Sequence, residues 1–259
     1  MGKRSTNEDN FLFAKRWINE KTRDMRLHDQ LITLYSKPTE VVNFFAIADG
    51  MGGHNAGEIA SRICVKTLAN VENGLQSPSS LAYVVQLVQS TIASMNSEVC
   101  SCGRNNVELK GMGTTLVMLI SLDGEYAILN IGDSRAYHFN GHILTQLTKD
   151  HTEGQRMLDL GLLSRKELAE FPARKNLSRY IGYDRQGFIL QADEYYPALD
   201  GGIVLLCSDG ITDSLADEEI FDILSMNRNI EIAGKMLIEQ AVAQPNADNS
   251  TAILIQIGG

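Results

Sequence analysis

The chain has 259 residues, of which 44% are hydrophobic and 21% charged; this composition is typical of a globular protein and excludes a disordered or collagen-like chain. Its 23 basic residues stand against 32 acidic ones, and the net charge of -9 argues against a nucleic-acid partner. No apolar stretch approaches the ~20 residues that cross a bilayer, and no signal-peptide pattern is present, which predicts a cytoplasmic protein without a membrane partner.

Strand-like segments rich in β-branched and aromatic residues recur along the chain. They are predicted at residues 10–14, 41–48, 114–122, 125–131, 136–140, 143–147, 188–192, 203–207 and 251–257. Asp123-Gly124 and Asn140-Gly141 each separate two of these segments by two residues, and such dipeptides are typical of tight β-hairpins. We therefore expect antiparallel sheets.

Three longer segments carry apolar residues at helical spacing. The first covers residues 56–68, the second begins near Ser79 or Ser80, and the third covers residues 230–243. A helix with one apolar face needs a sheet or another helix to cover that face. Together with the hairpins, these helices predict an α+β fold in which helices cover antiparallel sheets.

Residues 153–184 differ from the rest of the chain, because short helical pieces such as residues 164–167 interrupt the strand pattern. Surface segments of this kind often border active sites. No linker rich in Pro, Gly or Ser divides the chain. We therefore predict a single domain over residues 1–259, with this segment as an excursion over its surface.

Two apolar segments end on the same dipeptide, since Asp49-Gly50 follows residues 41–48 and Asp209-Gly210 follows residues 203–207 and one serine. A buried strand that ends on a charged side chain needs solvent or a bound cation at that point. Asp-Gly is also a common turn, and Asp123-Gly124 is predicted to be only that. A single Asp-Gly pair therefore does not decide between a turn and a functional site.

Acidic residues also lie at other predicted strand ends. Glu8 and Asp9 precede the first segment, Asp133 lies between two segments, and Asp248 precedes the last one. If these ends meet at one edge of the sheets, the carboxylates converge and need cations or raised pKa values. Carboxylate and carbonyl oxygens select Mg²⁺ or Mn²⁺, whereas zinc would need grouped Cys or His residues. Hard ions held by aspartates suit phosphoryl chemistry.

Seven motifs make the chain resemble the metal-dependent serine/threonine protein phosphatases of the PPM group, the 2C type, in a compact bacterial form. The motifs, which occur in the family's order over nearly the whole chain, are Arg4-Ser5-Thr6-Asn7-Glu8-Asp9, Ala48-Asp49-Gly50-Met51-Gly52-Gly53-His54, Gly113-Thr114-Thr115, Asn130-Ile131-Gly132-Asp133-Ser134-Arg135, Leu147-Thr148-Lys149-Asp150-His151, Cys207-Ser208-Asp209-Gly210 and Asp248-Asn249-Ser250-Thr251. The resemblance implies a four-layer α-β-β-α sandwich with two central antiparallel sheets. It also implies that residues 153–184 are the family's variable flap beside a metal cleft.

The resemblance implies a set of metal ligands. Asp49 matches the aspartate that bridges two metals, and the backbone carbonyl of Gly50 matches a ligand of one of them. Asp209 and Asp248 match ligands of the other metal. Asp133 resembles the ligand of a third, weaker metal that it shares with Asp209. The implied cofactors are therefore two core ions of Mn²⁺ or Mg²⁺ and a possible third.

Other residues match positions around those metals. Glu8 and Asp9 match acids that hold metal-bound waters, and Arg4 matches the arginine that grips the substrate phosphate. Animal members often have a histidine, assigned as general acid, two positions after the bridging aspartate, where this chain has Met51. His54 is the nearest alternative, and the general acid is either His54 or a metal-bound water.

The implied activity is the hydrolysis of phosphoserine and phosphothreonine in proteins, by attack of a metal-bridging hydroxide while Arg4 neutralises the phosphate oxygens. The expected partners are phosphoproteins, the substrates of a cognate serine/threonine kinase. Two alternatives stay open. One is a non-catalytic member of the same fold, although such proteins typically lose metal aspartates. The other is a different two-metal hydrolase, such as a nuclease or a small-molecule phosphoesterase.

Overall fold

The computed structural model describes residues 7–13, 16–17, 42–52 and 56–258. The strands are β1 (Asn10–Phe13), β2 (Arg16–Trp17), β3 (Val42–Ala48), β4 (Gly50–Met51), β5 (Gly113–Thr114), β6 (Leu116–Leu122), β7 (Glu125–Ile131), β8 (Arg135–Phe139), β9 (Leu144–Gln146), β10 (Asp193–Tyr195), β11 (Gly202–Cys207) and β12 (Ala252–Ile257). The α-helices are α1 (Ala56–Gly74), α2 (Leu81–Asn105), α3 (Glu153–Asp159), α4 (Arg165–Glu170), α5 (Asp209–Thr212), α6 (Asp217–Met226) and α7 (Ile230–Val242).

Two sheets form the centre of the molecule. The larger has six strands in the order β10-β7-β6-β3-β1-β2, and the smaller has four in the order β12-β11-β8-β9. Neighbouring strands in both sheets are antiparallel. The short strands β4 and β5 pair separately at one end of the larger sheet. The prediction of an α+β fold built on antiparallel sheets is confirmed.

Strand β3 shows how the layers are built, because every one of its residues is buried. Phe44 and Ala46 pack in the apolar cluster beneath α1 and α2. Phe45 and Ile47 point the other way, into a second cluster shared with the smaller sheet. This follows from the period of two in a strand, and a strand buried on both faces therefore reads as a continuous apolar run.

The smaller sheet repeats this arrangement. Val204 and Leu206 of β11 face the larger sheet, whereas Leu205 and Cys207 pack in a third cluster beneath α6 and α7. The layers are therefore helices, sheet, sheet and helices, which confirms the predicted four-layer sandwich. None of the helices among the described residues is both long and apolar enough to span a membrane.

Helix boundaries follow local capping and burial. Ser80 is the N-cap of α2, and its hydroxyl accepts a hydrogen bond from the Tyr83 amide at 3.2 Å, as the predicted start requires. Helix α1 continues to Gly74, six residues beyond its predicted end. One reason is Glu72, which is buried and whose Oε1 accepts a hydrogen bond from the Phe44 amide of β3 at 2.8 Å.

One predicted strand is wrong. Residues 188–192 carry no regular secondary structure, and the strand that joins the larger sheet is β10, which begins at Asp193. The side chain of Gln89 takes both backbone groups of Ala192, accepting from its amide at 3.0 Å and donating to its carbonyl at 2.9 Å. These groups are therefore not available to a neighbouring strand.

Both predicted hairpins form, with different turns. Asp123 and Gly124 have φ angles of 49° and 82° and connect β6 to β7 directly, which is the geometry of a type I′ turn. Asn140 and Gly141 belong to a longer loop over residues 140–143, because β8 ends at Phe139 and β9 begins at Leu144. The prediction of a two-residue connection is wrong there, although the antiparallel pairing is present.

The segment at residues 153–184 carries α3 and α4 and returns to the body of the molecule at both ends. Thr152 bridges to Leu177, and Thr114 of β5 bridges to Ile181. The second bridge has two backbone hydrogen bonds of 2.9 Å. Hereafter residues 153–184 are called the flap segment.

Candidate active site

The segment before β1 is attached to the ends of the strands of the smaller sheet. The Glu8 amide donates a hydrogen bond to Asn249 Oδ1 at 3.0 Å. Asp9 Oδ2 accepts hydrogen bonds from Ser208 Oγ at 2.9 Å and from Thr251 Oγ1 at 2.6 Å. These contacts bring the start of β1, the end of β11 and the start of β12 to one edge of the sandwich.

Asp49 is held at the same edge by two threonines. Its amide donates to Thr115 Oγ1 at 3.0 Å, and its carbonyl accepts from the Thr115 amide and from Thr114 Oγ1, both at 2.9 Å. Thr115 Oγ1 also hydrogen-bonds to Ser134 Oγ at 2.7 Å, in the turn that contains Asp133. One buried hydroxyl network therefore connects the backbone of Asp49 to the Asp133 turn.

The two Asp-Gly dipeptides that follow β3 and β11 lie where backbones approach closely. A Cβ atom on Gly50 would lie 2.2 Å from the Gly57 carbonyl oxygen, and a Cβ atom on Gly210 would lie 1.9 Å from that of Asn249. Neither position has room for a side chain. Glycine at these positions lets the chains that carry Glu8 and Asp248 pack directly against the two dipeptides.

The acidic residues at this edge differ in exposure. Glu8 and Asp9 are buried, with 9% and 4% of their surface exposed. The others are partly exposed: Asp49, Asp133, Asp209 and Asp248. The buried pair is therefore less accessible to solvent than the other four carboxylates.

The carboxylates are close enough to change one another's pKa values. Burial raises the pKa of Asp49 well above its ordinary value, and the negative charges of Asp9 and Asp209 raise it further. Burial and the charge of Asp209 raise the pKa of Asp133 to about 8. Burial and the charge of Asp213 raise the pKa of Asp209 to about 6. The edge carries more negative charge than it can stabilise alone.

The donors at this edge fit a hard divalent cation. They are oxygens of carboxylates, with hydroxyls and backbone carbonyls around them. The second oxygen of Asp9, Oδ1, is buried and receives no hydrogen bond from any group in the described part of the chain. Within residues 7–13, 42–52 and 56–258, no three acidic, imidazole or thiol side chains form a ready-made ligand set. The carboxylates change one another's pKa values, but no three of these described side chains are arranged around one coordination position.

The turn that carries Asp133 is fixed by neighbours from a later segment. Arg135 makes a bidentate ion pair with Asp150, with N–O distances of 2.7 to 3.2 Å. The Gly132 amide donates to His151 Nδ1 at 3.0 Å. The Leu147 to His151 motif therefore supports this turn from one side, while Ser134 connects it to Thr115 on the other.

Two predicted site residues, Arg4 and His54, lie outside the described residues, so their roles stay predictions. The structure brings together the others that the sequence singled out: Glu8, Asp9, Asp49, Gly50, Asp133, Asp209 and Asp248. Sequence reasoning assigned no role to Thr114, Thr115 or Ser134, although all three lie inside the quoted motifs. Ser134 directly follows Asp133, and Thr114 and Thr115 directly precede the apolar strand β6. Hydroxyl residues at strand ends were therefore the signal that could have found them.

Comparisons with known proteins identify the family of this chain. The family model described as protein phosphatase 2C matches residues 22–235. The serine/threonine phosphatase stp of Listeria monocytogenes serotype 4b is 32% identical over 211 residues, which are 81% of this chain and 82% of that protein.

Two solved structures are similar along nearly the whole chain. The serine/threonine phosphatase Stp1 from Staphylococcus aureus has a TM-score of 0.79 at 28% identity, covering 99% of this chain and 91% of that one. The catalytic domain of the serine/threonine protein phosphatase PstP, in complex with two manganese ions, has a TM-score of 0.71 at 28% identity, covering 97% and 93%.

Fold, acidic edge and sequence together define a metal-dependent serine/threonine protein phosphatase. The chain belongs to the protein phosphatase 2C family. This membership confirms the predicted family, fold class and activity. The assignment of individual site residues rests on the geometry described above and is developed as a proposal.

Proposed function

We propose that this protein removes phosphate from phosphoserine and phosphothreonine of proteins at the acidic edge, with two divalent ions held by Asp49, the Gly50 carbonyl, Asp209 and Asp248. The observation that carries the proposal is the convergence of these groups from three strand ends, where burial and neighbouring carboxylates raise the pKa values of Asp49 and Asp209. Two dications would remove that repulsion. The manganese ions of the similar PstP domain support this choice of metal.

The buried acids would act behind the metals. Asp9 Oδ2 is occupied by two hydroxyl donors, so Oδ1 is the oxygen left to accept a hydrogen bond from a water at the metals. Glu8 lies against Gly50 and Gly57 and would serve the same purpose beside it. Asp133 would hold a third ion together with Asp209, whose charge already acts on it.

Bound ions of this kind lower the pKa of a water molecule and neutralise charge on a phosphate. The chain's own residues would position the reaction around them. Thr114 and Thr115 hold the backbone of Asp49, so its carboxylate presents a fixed direction to the edge. Arg4 would bind the phosphate oxygens through its planar guanidinium group, and His54 would be a candidate proton donor to the leaving serine or threonine oxygen.

The substrates would be proteins that a cognate serine/threonine kinase phosphorylates. The similarity to a serine/threonine phosphatase and the partly exposed carboxylates at the edge support a phosphoprotein substrate. We further propose that residues 1–259 form one phosphatase domain, with the flap segment beside its active site. A non-catalytic role is disfavoured because Asp49, Asp133, Asp209 and Asp248 are all present.

The test is turnover of a phosphothreonine peptide in the presence of Mn²⁺, after exhaustive chelation, and after Mn²⁺ is restored. We expect activity only when Mn²⁺ or Mg²⁺ is present. Full turnover in excess chelator would contradict the metal site. A small phosphate ester of a sugar or nucleotide is the comparison substrate, and hydrolysis of that ester alone would identify a small-molecule phosphoesterase.

A further inference from the structure

His151 lies between the turn that carries Asp133 and the end of the flap segment. It is buried, with 8% of its surface exposed. Its Nδ1 accepts a hydrogen bond from the Gly132 amide at 3.0 Å, and its own amide donates to the Gly132 carbonyl at 2.9 Å. One residue therefore binds both backbone groups of the residue that precedes Asp133.

Gly132 is a sensitive position for that contact. Its φ of 103° is a conformation that L side chains rarely adopt, and a Cβ atom there would lie 2.6 Å from the Thr115 side chain. Thr115 thus limits the turn on one side, and His151 fixes it on the other. The direction of the Asp133 side chain depends on this backbone, because the two residues share a peptide unit.

The other side of the imidazole contacts residues of the flap end and of β10. His151 Nε2 lies 3.1 Å from Asp193 Oδ2, and Asp193 Oδ1 accepts a hydrogen bond from Arg179 at 2.5 Å. The guanidinium group of Arg179 also contacts the imidazole. The carbonyl of His151 accepts from the Ser178 amide at 2.8 Å. Arg179 and Asp193 therefore hold the ring in place.

These contacts favour one tautomer of the ring. Nδ1 accepts from the Gly132 amide and from Arg179 Nε, which favours the tautomer with the proton on Nε2, the nitrogen that faces Asp193 and also contacts Arg179 Nη2. Burial lowers the pKa of His151, which favours this neutral form. The ring can then accept from Gly132 and donate to Asp193 at the same time.

We propose that His151 is a positioning residue that fixes the Gly132-Asp133 turn and connects it to the flap segment through Arg179 and Asp193. The proposal rests on the proposed function in one respect, the role of Asp133 at the metal edge. His151 itself touches neither substrate nor metal. It acts through the backbone of Gly132.

Two isosteric replacements separate the two contacts of the ring. In His151→Asn the side-chain oxygen falls near the Nδ1 position and can still accept from Gly132, but the contact with Asp193 is lost. In His151→Gln the amide nitrogen falls near the Nε2 position and can donate to Asp193, but the Gly132 acceptor is lost. His151→Ala removes both contacts. If His151 only occupied space in the core, His151→Asn and His151→Gln would not differ in their effect on Gly132.

The first measurement is hydrogen exchange of the Gly132 amide by NMR in metal-free protein, which is independent of activity. We expect slow exchange in wild type and His151→Asn, and exchange about tenfold faster or more in His151→Gln and His151→Ala. His138→Ala is the matched control, because His138 Nε2 also contacts a backbone group, the Gly201 carbonyl oxygen at 2.8 Å. It should leave exchange of the Gly132 amide unchanged. Equal exchange in all the His151 variants would overturn the proposal.

The second measurement is turnover of a phosphothreonine peptide in a double-mutant cycle with Asp133→Ala. His151→Ala should lose about tenfold or more in the wild-type background and less than about twofold in the Asp133→Ala background. Fully additive losses would overturn the proposal. If Asp133→Ala alone were fully active, the proposed role of Asp133 would fail, while the exchange measurement would still decide whether His151 fixes the turn.

A further variant covers the case in which His151→Ala does not fold. Asp193→Asn keeps the Gly132 contact of the ring but removes the carboxylate that orients it. We expect a smaller acceleration of Gly132 exchange and a smaller loss of turnover than in His151→Gln, both in the same direction. Unchanged Gly132 exchange in Asp193→Asn would reject the connection to the flap segment.

Discussion

The same dipeptide, Asp-Gly, occurs at two kinds of place in this molecule. Asp123-Gly124 is a hairpin turn with both φ angles positive, and a Cβ atom on Gly124 would meet nothing within 4 Å. Asp49-Gly50 follows a fully buried strand, and a Cβ atom on Gly50 would collide with two backbone carbonyls. In the first case glycine supplies a backbone conformation, and in the second it supplies space.

The carboxyl groups differ in the same way. Asp123 stands on an exposed turn. Burial raises the pKa of Asp49, and the charges of Asp9, Asp209 and Asp133 raise it further. The dipeptide itself is identical, so the difference in chemistry comes from which other strand ends arrive at the same edge. Variants at the two dipeptides are therefore natural controls for each other.

The largest expected effect is on activity. Asp49→Asn and Asp209→Asn should each reduce kcat/KM for a phosphothreonine peptide by at least about a hundredfold, because a direct metal ligand matters more than the outer partners, whose loss costs about 10- to 100-fold. Asp123→Asn should be as active as wild type. Circular dichroism would check that each variant is folded, and near-normal turnover by Asp49→Asn would show that the edge is not the catalytic site.

Asp133 sharpens the comparison, because it too lies in a turn but at the acidic edge. Asp133→Ala should leave the two inner ions bound and reduce turnover of a phosphothreonine peptide by about ten- to a hundredfold. The loss should be smaller on an aryl phosphate, whose leaving group needs little protonation. Assays of both substrates with one preparation, alongside its metal content, check this. Equal losses, or loss of all metal, would reject a separate role for Asp133.

The glycines should differ in their effect on stability. Gly50→Ala should lower the free energy of unfolding by at least about 3 kcal/mol, since its Cβ would lie 2.2 Å from a carbonyl oxygen. Gly124→Ala has only the unfavourable positive φ to overcome, a cost of about 1 to 2 kcal/mol. Urea denaturation of both variants measures this. Similar values for the two would mean that the packing around Gly50 is less tight than described.

The stability of the metal-free protein should depend on pH through the carboxylates of the acidic edge. The pKa values of Asp133 and Asp209 are raised to about 8 and about 6 by burial and neighbouring charges, so the folded metal-free protein binds more protons than the unfolded chain above pH ~4. Its stability should therefore fall as pH rises above about 4, with Asp209 contributing up to about pH 6 and Asp133 up to about pH 8, by at most ~1.4 kcal/mol per pH unit for each group. Asp133→Asn should reduce this slope in thermal unfolding experiments, and Asp123→Asn should not.

Much of the fold could be predicted because its signals are local. The spacing of apolar residues predicts α2 and α7, and Asp123-Gly124 predicts the β6–β7 hairpin. Helix α6 was also within reach, since its acidic first turn and buried Ile220, Ile223 and Leu224 have helical spacing. It was not predicted.

Other features depend on contacts between distant residues. The segment at 188–192 has the composition of a strand, yet Gln89 of α2 takes the backbone groups of Ala192. The acidic strand ends were visible in the sequence, but their order around the edge depends on long-range pairing such as that of β11 with β12. The role of His151 depends on Arg179 and Asp193, which its sequence neighbourhood does not contain.

Calorimetric titration of Mn²⁺ into metal-stripped protein measures metal binding at the acidic edge without requiring a substrate. We expect two bound ions per chain in wild type and in Asp123→Asn, and loss of at least one of them in Asp49→Asn. Unchanged binding in Asp49→Asn, or no binding in wild type, would contradict the claim that the strand ends which converge on Asp49 form the metal site.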